Sequence, residues 1–228
     1  MRTRVKSCCI SSLQEAELAV AAGVDALGLV ADMPSGPGII SDDLIAKIAQ
    51  WTPTGLDSFL LTKEVEPSAV LRHVKRCGTT TVQLVRAVPT SVYSALRSEF
   101  AQVQIVQVIH VEDDGARTEA VRLAPWVDAL LLDSGCPGAE VPELGGTGNT
   151  HNWTISARIV ESVSVPVFLA GGLEAGNVEA AIAQVGPYGV DLCSGIRTGG
   201  ALSESRLTDF MSAVKRADRN KITSPESS

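Results

Sequence analysis

The chain has 228 residues, of which 45% are hydrophobic and 20% are charged, and this balance excludes a wholly disordered protein. Its formal net charge is -7, and no run of Lys and Arg interrupts the sequence. Nucleic acid and anionic membranes are therefore excluded as partners bound through net charge, whereas a local site for a small anion is compatible with this composition.

The N-terminal segment MRTRVKSCCI lacks the apolar core of a signal peptide, and no apolar run reaches the roughly 20 residues that span a bilayer. We therefore expect a cytoplasmic protein. Five cysteines are scattered along the chain without a CxxC pair, which predicts free thiols and neither a disulfide framework nor a zinc site.

Apolar, β-branched runs alternate with amphipathic stretches at intervals of roughly 28 residues, the length of a minimal βα unit. The predicted strands are 5–10, 25–31, 56–61, 80–85, 104–111, 127–133, 165–170 and 189–193. The predicted helices are 12–22, 41–50, 67–77, 91–100, 116–124, 152–162, 175–184 and 204–217.

These eight βα units predict the fold class α/β and, within it, a single-domain (β/α)8 TIM barrel over residues 1–222. The strands are apolar at consecutive positions, as expected where helices cover one face of the sheet and a core fills the other. An open, doubly wound sheet is the alternative, because periodicity does not report closure. Residues 223–228 are polar and predict a disordered tail.

In such a barrel the chemistry gathers where the strands end. The first predicted strand carries Lys6 and Cys8 on one face and Cys9 on the other, so only one thiol is expected to face the barrel mouth. A lysine ammonium beside Cys8 would favour the thiolate and make it a better base. Asp133 follows the apolar run of the sixth strand. The alternatives are that the cysteines are small buried hydrophobes and that Asp133 caps a loop.

Glycine-rich turns follow the last two strands, at Gly171-Gly172 and Ser194-Gly195, where barrels of this kind gather backbone N–H groups around a phosphate. The sequence has no P-loop ending and no strand–GxGxxG–helix unit, so nucleotide hydrolysis and dinucleotide redox chemistry lose support. The three histidines have no ligand spacing, which predicts no metal site; each alone is interpreted as structural or solvated.

The motifs VKSCCI (5–10), LLDS (131–134), GGTG (145–148), LAGGL (169–173) and VDLCSG (190–195), in this order, closely resemble the phosphoribosylanthranilate isomerase family. The resemblance implies a cofactor-free barrel of tryptophan biosynthesis, an intramolecular oxidoreductase of the aldose–ketose isomerase type. Its substrate is a phosphorylated small molecule, which it rearranges by Amadori chemistry. We expect a monomer or homodimer.

By the same resemblance, Asp133 is the general acid that protonates the ring oxygen of the sugar, and Cys8 is the general base that removes the C2 proton. The resemblance also implies that the backbone around Gly171, Gly172, Ser194 and Gly195 holds the phosphate. Lys6, Gly146 and Arg197 are the further substrate-binding candidates.

Several positions depart from the family pattern. Cys9 stands where glycine is usual, Gly38 where an arginine commonly holds the anthranilate carboxylate, Val85 where a VQLH motif ends in histidine, and Asn149 where lysine is usual. Arg197 is the nearest replacement for the missing arginine by strand order, and a solvated arginine on a rim loop is its alternative.

Three hypotheses follow. The first is phosphoribosylanthranilate isomerase activity, and the second is a divergent paralogue that acts on another phosphosugar conjugate. The third is a phosphometabolite-binding barrel without catalysis.

Overall fold

The structure, a computed structural model, describes residues 2–34, 36–134 and 152–223. Its strands are β1 Arg4–Ser7, β2 Ala26–Val30, β3 Asp57–Thr62, β4 Thr81–Leu84, β5 Gln104–His110, β6 Ala129–Asp133, β7 Val167–Leu169 and β8 Gly189–Leu192. The bounds of all eight strands lie within three residues of the predicted ones.

The helices alternate with the strands as predicted. They are α1 Leu13–Ala22, α2 Asp42–Trp51, α3 Pro67–Cys77, α4 Thr90–Glu99, α5 Gly115–Leu123, α6 Trp153–Ser162, α7 Val178–Val185 and α8 Glu204–Thr223. A short antiparallel pair, β9 Arg197–Thr198 and β10 Ala201–Leu202, lies between β8 and α8. The last helix includes Thr223, which we expected in the tail; residues 224–228 lie outside the described residues.

The sheet is closed. Each strand pairs in parallel with the next, and β8 returns to β1 through the register Val5 to Val190 and Ser7 to Leu192. This confirms the predicted (β/α)8 barrel, and the open doubly wound alternative is wrong because both edges of the sheet are paired. None of the described helices is long and apolar enough to cross a membrane.

The core has two parts because successive side chains of a strand point to opposite faces. Residues such as Leu27, Leu60 and Leu130 point outward and pack under the helices. Residues such as Phe59, Val108 and Leu131 point inward and fill the barrel. Strands buried on both faces explain the consecutive apolar runs in the sequence.

Candidate active site

Cys8 follows β1 and is buried among the inward-facing residues of the barrel. Its Sγ and the Nζ of Lys6 both lie within 3.0 Å of the point where a Cβ on Gly28 would stand, so the ammonium and the thiol are at most about 6 Å apart. Lys6 and Cys8 therefore share the inner face, as the alternation of β1 predicts.

Cys9 does not take the opposite face. It also belongs to the inner cluster, because β1 ends at Ser7 and the backbone at Cys9 has φ 63°, in the left-handed region. Hydrogen bonds with the thiols of Cys193 and Cys8, together with burial, raise the pKa of the Cys9 thiol. The expectation that a single thiol faces the barrel mouth is wrong, since the alternation of a strand does not extend past its last residue.

Lys6 is fully buried, and its Nζ lies 2.9 Å from Oδ1 of Asp191, an inward-facing residue of β8. The ammonium also lies 5.1 Å from the centre of the Phe59 ring. Although burial alone would lower the pKa of Lys6, attraction to Asp191 raises it overall. The site therefore contains a fixed cation below Cys8.

Asp133 is the last residue of β6 and is 8% exposed. Its Oδ1 accepts a hydrogen bond of 2.7 Å from the backbone N–H of Ser134. Burial raises the pKa of this carboxyl, and the negative charge of Asp191 adds to the increase. A carboxyl group that holds its proton more tightly than usual is suited to act as a general acid.

The two glycine turns lie against each other. Gly171 and Gly172 follow β7 with φ 84° and 60°, values that favour glycine. At Gly195, after β8, a Cβ would stand 2.1 Å from the carbonyl oxygen of Leu173, so only glycine allows this approach. The phosphate-binding candidates Gly171, Gly172, Ser194 and Gly195 are thus brought together at one end of the barrel.

Comparison of the chain with known proteins identifies the family to which this barrel belongs. A family model described as N-(5'-phosphoribosyl)anthranilate (PRA) isomerase matches residues 5–213. The chain belongs to the N-(5'-phosphoribosyl)anthranilate isomerase family. It is 32% identical to the isomerase of that name from Methanosarcina acetivorans, with 94% of each chain covered.

Solved isomerases share the fold. The structure from Pyrococcus furiosus has a TM-score of 0.78 and 25% sequence identity to this chain. The superposition covers 94% of this chain and 100% of the Pyrococcus furiosus chain. Another isomerase structure, in complex with reduced 1-(o-carboxyphenylamino)-1-deoxyribulose 5-phosphate, has a TM-score of 0.76 and 23% sequence identity. Its superposition covers 94% of this chain and 99% of the isomerase chain.

Two departures from the pattern of the isomerase family are in contact. A Cβ at Gly38 would stand 2.5 Å from the Cβ of Cys9 and 2.7 Å from its Cα and carbonyl oxygen. Gly38 also has φ 75°, so neither the backbone nor the space suits an arginine. The side chain gained at position 9 and the side chain missing at position 38 therefore belong to one packing arrangement.

Arg197 is buried, with 7% of its side chain exposed, and it binds an acid of its own chain. Its Nη1 and Nη2 each lie 3.0 Å from a carboxylate oxygen of Glu15, and they also donate to the carbonyl oxygens of Gly200 and Cys9. The alternative of a solvated arginine is wrong. Because Glu15 already occupies the guanidinium fork, this geometry argues against a second carboxylate, and the substrate-binding role of Arg197 stays a prediction.

Other predicted residues lie outside what the structure describes. Gly146 and Asn149 fall within residues 135–151, and so does His151. Lys6 is placed below the barrel mouth with its ammonium on Asp191, and its direct contact with substrate stays a prediction.

Asp191 belongs to this site although the sequence patterns did not predict it. The available signal was a carboxylate inside the apolar strand GVDL, where a buried charge requires a partner of opposite sign.

Among the described residues, one group combines His, Cys and Asp: His73, Cys77 and Asp42, on the outer side of the barrel between α2 and α3. His73 Nδ1 lies 2.8 Å from Thr62 Oγ1, and Asp42 forms an ion pair with Arg76. Burial raises the pKa of the Cys77 thiol to about 12. His73 and Asp42 already have partners within the chain, which favours a structural role for this group over a metal site.

Proposed function

We propose that the chain isomerises N-(5'-phosphoribosyl)anthranilate to 1-(o-carboxyphenylamino)-1-deoxyribulose 5-phosphate, with Asp133 as general acid and Cys8 as general base. The observation that carries this proposal is the buried Asp133 carboxyl with its raised pKa, on the inner face of the same barrel end as Cys8. Membership of the isomerase family is the reason for naming this substrate.

The reaction balances without an oxidant. Protonated Asp133 gives its proton to the ring oxygen, the bond between C1 and that oxygen breaks, and the nitrogen lone pair forms a C=N bond, leaving an iminium and a carboxylate. Cys8 as thiolate takes the C2 proton, and the C–H electrons form the C1=C2 bond and neutralise the nitrogen. The enol proton then leaves and C1 gains a proton, which gives the ketone.

The phosphate is proposed to bind at the two glycine turns, because glycine allows backbone N–H groups to approach an anion closely. Support comes from the contact between Gly195 and Leu173, which holds the turns after β7 and β8 together. Binding at this end orients the sugar so that C2 lies near Cys8 and the ring oxygen near Asp133. Cytoplasmic location, no cofactor, and a monomer or homodimer remain predictions.

The test is turnover of phosphoribosylanthranilate by the purified chain and by variants of the two catalytic candidates. We expect Cys8→Ser and Asp133→Asn each to lower kcat by about a hundredfold or more, the usual scale for a positioned acid or base. Cys77→Ser is the control for the first, since it also replaces a buried thiol but lies in α3. Asp128→Asn is the control for the second, since it precedes β6 at the opposite end of the strand.

Turnover that depends on Cys8 and Asp133 but not on the controls would support the proposal. Absence of turnover by the unmodified chain would refute it, as would equal losses in variants and controls.

The second candidate is isomerisation of a phosphosugar conjugate without a carboxylate on its aglycone. Two observations favour this second candidate. Position 38 has no room for an arginine side chain, and Arg197 is already paired with Glu15. Comparing turnover of phosphoribosylanthranilate with that of a phosphoribosyl aniline lacking the carboxylate distinguishes the two. A preference of tenfold or more for the carboxylated compound would refute the second candidate.

A further inference from the structure

His110 is the last residue of β5 and stands beside the proposed acid. In the parallel register of β5 and β6 it is paired with Asp133. Val108 and Val106, two and four positions earlier, belong to the inner cluster, so His110 follows the alternation that points inward. The imidazole therefore lies at the barrel mouth as the neighbour of the Asp133 carboxyl.

One ring nitrogen of His110 is fixed by the backbone. Nε2 lies 3.2 Å from the carbonyl oxygen of Val85, the residue that follows β4. A carbonyl oxygen only accepts hydrogen bonds, so Nε2 carries the hydrogen and, in the neutral ring, Nδ1 carries a lone pair. The tautomer of the neutral imidazole is thus determined by Val85.

The other ring nitrogen has an unused lone pair. Nδ1 is buried, and within residues 2–34, 36–134 and 152–223 no donor lies within hydrogen-bond distance of it. A buried acceptor without a donor is unfavourable, so a ligand that brings an N–H or O–H group to Nδ1 gains affinity. Anionic groups of a substrate, such as phosphate or carboxylate, offer no hydrogen and do not fit this atom.

We propose that Nδ1 of His110 accepts a hydrogen bond from the N–H group that joins the sugar to its aromatic ring. This inference rests on the proposed function. The phosphate turns follow β7 and β8, and the acid is on β6, so a substrate that extends across the mouth brings its next atoms to β5. The linking nitrogen and the ring oxygen that Asp133 protonates are both bonded to C1, so the nitrogen lies close to that oxygen. This places the nitrogen beside His110, the neighbour of Asp133.

The same contact strengthens as the reaction proceeds. When the ring opens, the linking nitrogen becomes an iminium N–H with positive charge, and hydrogen bonds from charged donors are roughly twice as strong as neutral ones. In this step His110 accepts a hydrogen bond and neither gives nor takes a proton. It stabilises the iminium more than the closed substrate, and interactions of that kind raise kcat.

Three substitutions separate the two nitrogens. His110→Asn has an amide oxygen at the position of Nδ1 but does not reach Val85, whereas His110→Gln reaches Val85 with its amide but has no acceptor at the Nδ1 position. His110→Leu removes both. His73→Asn, in α3 on the outer side of the barrel, is the matched control.

The experiment measures kcat and KM with phosphoribosylanthranilate. It also measures, by calorimetry, Kd for the product analogue, reduced 1-(o-carboxyphenylamino)-1-deoxyribulose 5-phosphate. We expect His110→Leu and His110→Gln to raise Kd about tenfold and to lower kcat/KM by more than that, because the iminium is the stronger donor. His110→Asn should stay within about threefold of the unmodified chain in both quantities. His73→Asn should leave both unchanged.

Thermal midpoints of all variants show whether each folds. Unchanged Kd and kcat/KM in His110→Leu would overturn the inference and leave the proposed function intact. Equal losses in the Asn and Gln variants that follow a lowered midpoint would overturn it in favour of a structural role. If the unmodified chain neither binds the analogue nor turns over the substrate, the proposed function fails, and this inference fails with it.

Discussion

Breaking the ion pair of Lys6 and Asp191 should cost far more stability than breaking an exposed pair. The side chains are 0% and 8% exposed, and their charged atoms are 2.9 Å apart. Removing one member leaves the other charge buried without a partner, which costs about 3–5 kcal/mol. For a chain of this length 1 kcal/mol lowers Tm by about 2–4 °C, so Lys6→Met should lower Tm by roughly 10 °C.

The assay is thermal unfolding of four proteins: the unmodified chain, Lys6→Met, Asp191→Asn, and the double variant. We expect each single variant to be strongly destabilised and the double variant to be more stable than the sum of the two losses predicts, because it leaves no unpaired charge. Lys63→Met is the control. Lys63 and Asp32 form an ion pair with side chains 34% and 85% exposed, for which a loss below about 1 kcal/mol is expected.

Two results would refute this reasoning. Lys6→Met could lower Tm by no more than Lys63→Met, which would mean that burial does not make the pair costly to break. Alternatively, the losses at Lys6 and Asp191 could simply add, which would mean that the two charges do not stabilise each other in the folded chain.

Three further results are expected. Gly38→Ala should lower the free energy of unfolding by about 2–4 kcal/mol, against about 1 kcal/mol for Gly55→Ala, because both have positive φ but only Gly38 touches Cys9; equal losses in urea unfolding would contradict the contact. Burial would raise the pKa of Glu15, but hydrogen bonds from Arg197 and the backbone outweigh it and lower this pKa. The stability that ionised Glu15 contributes is therefore full above the ordinary pKa of a glutamate and is lost as the pH falls through the lowered pKa. Glu15→Gln should show a smaller loss of Tm on acidification than the unmodified chain. Arg197→Ala should reduce stability by about 1.5–3 kcal/mol and leave Kd for the product analogue within twofold, whereas a tenfold weaker Kd would assign Arg197 to the carboxylate.

The fold was predictable because it depends on local patterns. Eight apolar runs, each followed by an amphipathic stretch, placed every strand and helix near its observed position, and strand alternation put Lys6 and Cys8 on one face. The prediction that Asp133 ends the sixth strand is confirmed, since it is the last residue of β6.

What the sequence could not show are contacts between distant residues and exceptions to backbone preference. Arg197 meets Glu15 across 182 positions, so its ion pair has no local signal. The left-handed backbone at Cys9 is rare for residues other than glycine, and alternation alone placed this thiol on the wrong face. His110 was interpreted as structural or solvated because no other histidine lies at ligand spacing from it, and the backbone carbonyl that binds its Nε2 leaves no trace in the sequence.

The contact between Cys9 and Gly38 also limits how an arginine could be introduced at position 38 by design. A Cβ at position 38 would stand 2.5 Å from the Cβ of Cys9, and also 2.7 Å from its Cα and its carbonyl oxygen, two backbone atoms that glycine at position 9 would keep. Replacing Cys9 by glycine would therefore not by itself make room for a side chain at position 38. An arginine there requires a different backbone path through both segments, so the two loops would have to be rebuilt together.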